Sequence, residues 1–158
     1  MPKITALLYT RNDSLRLGRA LDSLRPCDEV LVIDDNSEDD TVRVARENGA
    51  QIKTSIPGVT HGAYAMDASH DWILCLRPTE ALSEELEASL LEWKGLDQDE
   101  SLACCQITVR EQNDNGWHQL GPEVRLVNRK LLNWVEELPP NQHCDITLKG
   151  DLLRFRDP

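Results

Sequence analysis

The sequence predicts an α/β fold with a mainly parallel sheet flanked by helices and a short antiparallel C-terminal extension. Three observations predict it. Over residues 1–95, apolar runs of strand length alternate with segments of helical spacing, the pattern of parallel strands joined by right-handed crossovers. Beyond residue 95, strand-like stretches are separated by turns instead of helices. The composition, 40% hydrophobic and 28% charged over 158 residues, is that of one globular domain long enough to bury a core.

Each element has its own signal. Residues 4–9 form a nearly continuous apolar run, as expected of a strand covered on both faces. Asn12, Asp13 and Ser14 offer N-cap side chains, Leu17, Ala20, Leu21 and Leu24 follow at helical spacing, and Pro26 stops the helix. Residues 29–33 make a second strand. Ser37-Glu38-Asp39-Asp40 fits a capping box that opens a helix closed by Asn48-Gly49. A third strand over 50–54, a helix over 59–69 interrupted by Gly62, a fourth strand over 71–76 and a helix over 83–93 complete the first part. Residues 102–111, 123–128 and 145–155 read as further strands, separated by the turn-rich stretch 112–116 and by Pro139-Pro140.

Charge and cysteine usage exclude several function classes. With 17 Lys and Arg against 28 Asp and Glu, the net charge is −11, which repels a phosphate backbone and argues against nucleic-acid binding. No apolar run approaches the roughly 20 residues of a membrane span, and the N-terminus lacks the features of a secretory signal. The chain reads as cytoplasmic. Its five cysteines include no C-x-x-C pair, so neither a zinc cluster nor a thioredoxin-type motif is signalled, and buried free thiols are expected. Residues 79–100 carry eight acids and one Lys, read as a solvated helix face.

In parallel α/β sheets ligands bind beyond the carboxyl ends of the strands, which directs attention to residues 10–13, 34–37 and 77–80. The most informative run is Val30-Leu31-Val32-Ile33-Asp34-Asp35-Asn36-Ser37, where a strand ends in two carboxylates. A carboxylate there can accept hydrogen bonds from a nucleobase imide or ribose hydroxyls; equally, Asp34 and Asp35 can serve only to charge a helix N-terminus. Other motifs are absent. The turn Thr10-Arg11-Asn12 has no glycine of a dinucleotide fingerprint, no phosphate loop is present, and residues 34–45 lack the Gly and Glu of a calcium loop. Of the four Trp, Trp117 is the candidate sugar-stacking platform. His118 and His143 are isolated and read as structural or solvated.

Residues 33–41, I-D-D-N-S-E-D-D-T, resemble the V-D-D-G-S-T-D-G-T signature of the family 2 glycosyltransferases, which have the GT-A fold. The resemblance extends to 4–13, to 61–80 and, in the subgroup acting on lipopolysaccharide cores, to 122–129, 134–135 and 149–155. It implies a single domain over 1–158, with a nucleotide-binding half over 1–95 and a shortened acceptor-side half over 96–158. It implies a nucleotide-diphosphate sugar as partner, with Thr10, Arg11, Asn12, Asp34 and Asp35 around the nucleotide, and transfer to an acceptor hydroxyl. It also implies Mg²⁺ or Mn²⁺, bound by D-x-D carboxylates and bridging the diphosphate.

Two departures stand out. Where the family has its metal carboxylates, this chain has Arg77 and Thr79, followed by Glu80, and a guanidinium cannot ligate a cation. Either Arg77 replaces the metal at the diphosphate, with Thr79 and Glu80 beside it, or catalysis has been lost and the chain is an inactive binding or interaction module. Where the related subgroup has a His-Glu pair for acceptor deprotonation, this chain has Glu136-Glu137-Leu138-Pro139-Pro140. Glu136 or Glu137 can then act as base only if the loop shifts.

Overall fold

The computed structural model describes residues 1–156. Four short strands, β1 (Ile4–Thr10), β2 (Glu29–Asp34), β3 (Gln51–Thr54) and β4 (Trp72–Cys75), pair in parallel. Helices α1 (Ser14–Asp22) and α2 (Thr41–Glu47) and a 3-10 helix (His61–Asp67) connect them. After β5 (Glu80–Leu82) and α3 (Glu84–Lys94) come three long strands, β6 (Cys104–Asn113), β7 (Gly116–Asn128) and β8 (Ile146–Arg154). All eight form one sheet in the order β3-β2-β1-β4-β7-β6-β8-β5. The β4–β7, β6–β7 and β5–β8 pairs are antiparallel, whereas β6–β8 is parallel, so the C-terminal extension, expected to be antiparallel, is mixed and continues the parallel part edge to edge.

The sheet is covered on both faces, which explains the unbroken apolar runs of β1, β2 and β4. Alternate residues of β1 divide between two cores. Ile4, Ala6 and Leu8 join Leu17, Leu21, Leu86, Leu90 and Trp93 under α1 and α3. Leu7 joins Leu31, Ile33, Ile73, Tyr64 and Trp134 beneath the 3-10 helix. A fully buried Leu here contributes roughly 1.5–3 kcal/mol relative to exposure.

Local differences from the sequence reading have identifiable causes. Ser37 does not cap α2: its hydroxyl donates to Asp34 Oδ1 at 2.6 Å and accepts from the Asn12 amide at 2.9 Å, so the helix begins four residues later at Thr41. By contrast, Ser83 caps α3, accepting from the Leu86 amide at 3.1 Å. The helix expected over 59–69 tightens to a 3-10 helix because Gly62 is pressed against another chain segment; a Cβ there would lie 1.8 Å from the Trp134 carbonyl oxygen. The strand over 146–154 stays single by bulging at Lys149-Gly150, with Gly150 at φ +96° packed against the first turn of α3.

The cysteines need one correction. Cys104 in β6 and Cys144 just before β8 are joined as a disulfide with Cα atoms 5.6 Å apart, because the loop leaving β7 folds back over β6. Cys27, Cys75 and Cys105 are free thiols, as expected, and burial pushes each up to about 12. None of the helices among the described residues is long and apolar enough to cross a membrane.

Candidate functional site

The parallel registers bring three strand ends level: Thr10 lies opposite Asp34, and Asp34 opposite Thr54. Beyond these ends a cleft of 880 Å³ opens. Thr10, Arg11, Asp35 and Asn36 line it from β1 and β2, and Arg77, Pro78 and Thr79 from the turn after β4. Glu137 reaches it from the loop between β7 and β8. The strand-end rule therefore located the cavity.

The two adjacent aspartates part company. Asp34 is the last residue of β2 and only 4% exposed. Its carboxylate accepts from Thr10 Oγ1 at 2.7 Å, from the Ser37 amide at 2.9 Å and from Ser37 Oγ at 2.6 Å. Buried, held by three donors of the chain itself and absent from the cleft wall, Asp34 does not stand where the sequence reading placed it, beside a ligand: it braces the β1 and β2 tips. Asp35, one residue on, points the other way, with 52% of its side chain exposed in the cleft. Ser55 Oγ donates to it at 2.9 Å, and Arg11 Nη1 lies 3.2 Å away. The Ser55 hydrogen bond, aided by the Arg11 charge and opposed by slight burial, holds its carboxyl below the usual carboxylate range.

Asn12 is also corrected. It adopts φ +54°, its amide donates to Ser37 Oγ at 2.9 Å, and its Oδ1 accepts from the Glu38 amide at 2.8 Å. Asn12 thus stitches the first strand-end turn to the second instead of lining the cleft. Asn36, at φ +51°, occupies the lining position instead. The positive φ turns both chains sharply at the strand tips.

At the turn after β4, Glu80 is the largest departure from expectation. It starts β5 and is completely buried, facing the far side of the turn. Arg125 of β7, also completely buried, grips it with Nη1–Oε1 and Nη2–Oε2 contacts of 2.7 Å each. Arg154 Nε adds a third contact at 3.1 Å, and Glu123 bridges both guanidinium groups, 3.0 Å from Arg125 Nη2 and 3.5 Å from Arg154 Nη2. Burial alone would push the Glu80 carboxyl up, but the Arg125 hydrogen bonds and charge outweigh it and hold it below the usual range. Glu80 Oε1 also accepts from the Arg77 amide at 2.8 Å, so the carboxylate shapes the turn that presents Arg77 without entering the cleft.

Of the two candidate bases, Glu137 lines the cleft and Glu136 does not. The loop carrying Glu137 is docked by the Gly62 amide, which donates to the Val135 carbonyl at 3.2 Å, and by buried Trp134. Glu137 Oε2 stands 4.0 Å from Arg77 Nε. Trp117 lies in β7, edge-on to Phe155 with ring centroids 5.2 Å apart, and is absent from the cleft wall.

Sequence reasoning missed one wall altogether. Ser55, Ile56, Pro57, Gly58 and Val59 follow β3, and Tyr9, His61 and Tyr64 form an aromatic corner. Tyr9 and His61 pack edge to face at 4.7 Å, and the Tyr9 hydroxyl donates to the His61 carbonyl. Burial pushes the Tyr9 phenol well up, keeping it protonated. The signal was available: β3 is a parallel strand too, so its carboxyl end at Thr54 obeys the same rule as β1 and β2.

The residues present do not fit a divalent-cation site of the D-x-D kind. A hard cation needs several oxygen ligands, yet Glu80 is committed to two arginines and a guanidinium projects from the place of one carboxylate. Among the described residues, no three His, Cys, Asp or Glu side chains gather in a way that holds a metal ion.

No protein-family model matches the chain. It is 30% identical over 161 aligned residues to an uncharacterized glycosyltransferase of Rickettsia felis, covering 96% of this chain and 57% of that protein. It is 30% identical to an uncharacterized glycosyltransferase of Rickettsia conorii over 159 residues, covering 95% and 56%. Among solved structures, S. aureus TarS residues 1–349 superimposes with a TM-score of 0.56 at 20% identity, over 72% of this chain and 37% of that one. The same protein in complex with UDP gives 0.54 over the same shares. The chain spans about half the length of the curated relatives it matches. It shares the GT-A fold of these solved structures and is similar in sequence to proteins named as glycosyltransferases.

Proposed function

We propose that the cleft beyond β1–β3 binds a nucleotide-diphosphate sugar and that the chain transfers the sugar to an acceptor hydroxyl. The observation that carries this reading is the presentation of Asp35. A charged carboxylate, fixed by Ser55, stands at the tip of an inner strand while its neighbour Asp34 holds the tip rigid. Support comes from the glycosyltransferase relatives and from the fold shared with TarS, a protein crystallised with UDP. The proposal assigns residues 1–95 to nucleotide binding and 96–158 to the acceptor side.

Asp35 is suited to accept from a base imide or ribose hydroxyl, and Arg11, Thr10 and Asn36 complete that end. The aromatic corner of Tyr9 and Tyr64 offers an apolar wall for the ring. Thr79 lies on the sugar-diphosphate side. In a single displacement, the acceptor oxygen bonds to the anomeric carbon as the bond from that carbon to the diphosphate oxygen breaks. The acceptor proton passes to Glu137, the one of the two candidate bases that reaches the cleft. A cytoplasmic setting belongs to the same proposal; there the Cys104–Cys144 pair meets reducing conditions in which its dithiol form is expected.

A thermal-melting screen with UDP- and GDP-sugars tests the binding step. A ligand at a hundred times its Kd stabilises by about 2.7 kcal/mol, a rise of roughly 5–10 °C for a chain of this size. That rise, lost in Asp35→Asn, is the expected result, and nucleotide-diphosphate release with a saccharide acceptor then reports transfer. A flat screen across both nucleotide classes contradicts the reading.

A further inference from the structure

We infer that this cleft holds the ligand's diphosphate without a divalent cation, with the Arg77 guanidinium taking the charge. The inference rests on the nucleotide-diphosphate reading above and names how that ligand is held.

Four observations carry it. First, Arg77 lines the cleft at the end of β4, on the side away from Asp35 and Ser55. The diphosphate of a ligand whose base sits at Asp35 falls between these walls. Second, Arg77 is little used by the fold. Its Nε is shielded from water yet has no hydrogen-bond partner, and its nearest carboxylate, Glu137, is 4.0 Å away. A planar donor group with unmet hydrogen-bonding capacity suits phosphate oxygens, which accept two parallel N–H bonds. Third, the turn itself is built for this presentation. Glu80 is held from within by Arg125 and Arg154 and in turn accepts from the Arg77 backbone amide at 2.8 Å. This acid is thus unavailable to a cation and fixes the backbone from which Arg77 projects. Fourth, the three carboxylates lining the cleft are each engaged by the chain: Asp13 pairs with Arg16 at 3.1 Å and accepts from the Arg11 amide at 2.8 Å, Asp35 is engaged by Ser55 and Arg11, and Glu137 faces Arg77. A cation placed beside Arg77 would be repelled by it and would lack ligands.

Isothermal titration of the full chain with UDP and with GDP, each in EDTA and in excess Mn²⁺, tests this. The expected result is a Kd that agrees between the two conditions within about twofold. Arg77→Ala should weaken it about 10- to 100-fold, as for a lost charge-assisted contact, and Arg77→Lys should recover part of the loss. Circular dichroism of each variant checks that the fold persists, which the partial exposure of Arg77 favours. Binding that appears only with Mn²⁺ and ignores Arg77→Ala overturns the inference and leaves the nucleotide reading standing. Absence of heat with both nucleotides in both conditions overturns the two together.

Discussion

The tips of β1–β3 and the turn after β4 border one cleft, but their carboxylates have opposite fates. At the β2 tip, Asp34 turns inward and Asp35 outward, so one acid stabilises the loop and the next is available to a ligand. After β4 the polarity is reversed: the acid, Glu80, is drawn into the sheet by Arg125 and Arg154, and the base, Arg77, faces the cleft. The difference lies in what the neighbouring strand supplies. Thr10 and Ser37 offer Asp34 neutral donors, whereas β7 and β8 offer Glu80 two guanidinium groups. A carboxylate's role at a strand end is therefore set by its buried partners as much as by its place in a motif.

The buried side of this comparison should give the largest effects. Glu80→Ala strips the completely buried Arg125 of its bidentate partner and leaves it only the one-oxygen ion pair with Glu123; breaking a buried pair costs up to about 3–5 kcal/mol. Urea unfolding should read that loss, and a change under 1 kcal/mol would mean the network is less closed than described. Glu80 also gives the pH dependence its sign. Its folded carboxyl lies below the ordinary value, so its stabilisation is present above the unfolded value and lost as pH falls through the folded one.

Next in size is the disulfide. Cys104 and Cys144 are 40 residues apart, and closing a loop of that length is worth up to about 4 kcal/mol in the chain-entropy account. Adding dithiothreitol should lower the urea midpoint accordingly, with a Cys104→Ser/Cys144→Ser variant insensitive to it.

The aspartate pair separates stability from binding. Asp34→Asn should cost about 1–3 kcal/mol, because a buried acceptor loses part of its donor set, and Asp35→Asn should stay within about 0.5 kcal/mol, as for an exposed site. Nucleotide affinity should show the reverse contrast, falling about tenfold in Asp35→Asn. Equal effects of the two on stability would erase the distinction between inward and outward acids.

The smallest effect concerns Asp39, held at about 2 chiefly by the Thr41 hydroxyl, with the Thr41 amide and Ser14 also contributing. A carbon-detected NMR titration should find its midpoint well below the ordinary carboxylate value. Thr41→Val should raise that midpoint, and any stabilisation linked to Asp39 disappears only as pH falls toward 2.

The parallel half was legible because its signals are local. Apolar runs gave β1, β2 and β4, helical spacing with the Pro26 stop gave α1, helical spacing gave α3, and the strand-end rule gave Thr10, Arg11, Asp35 and Arg77 as cleft residues. What stayed hidden depends on contacts distant in sequence. No local pattern marks Glu80 as the partner of Arg125, 45 residues away, or shows that β7 would begin before residue 123. Nothing local places Cys144 over Cys104, or Trp134 against Gly62. The wall after β3 was missed for a different reason: β3 is short, mostly exposed and weakly apolar, so its end attracted no attention.

A ¹⁵N–¹H correlation titration of the chain with UDP in EDTA tests the central claim most directly, since it reports where the ligand sits. The account predicts the largest amide shifts at Asp35, Asn36, Ser55 and Arg77. Shifts confined to the opposite, amino-terminal ends of β1 and β4 around Asp97 and Lys130, where a second cleft of 860 Å³ lies, or no shifts at all, would contradict it.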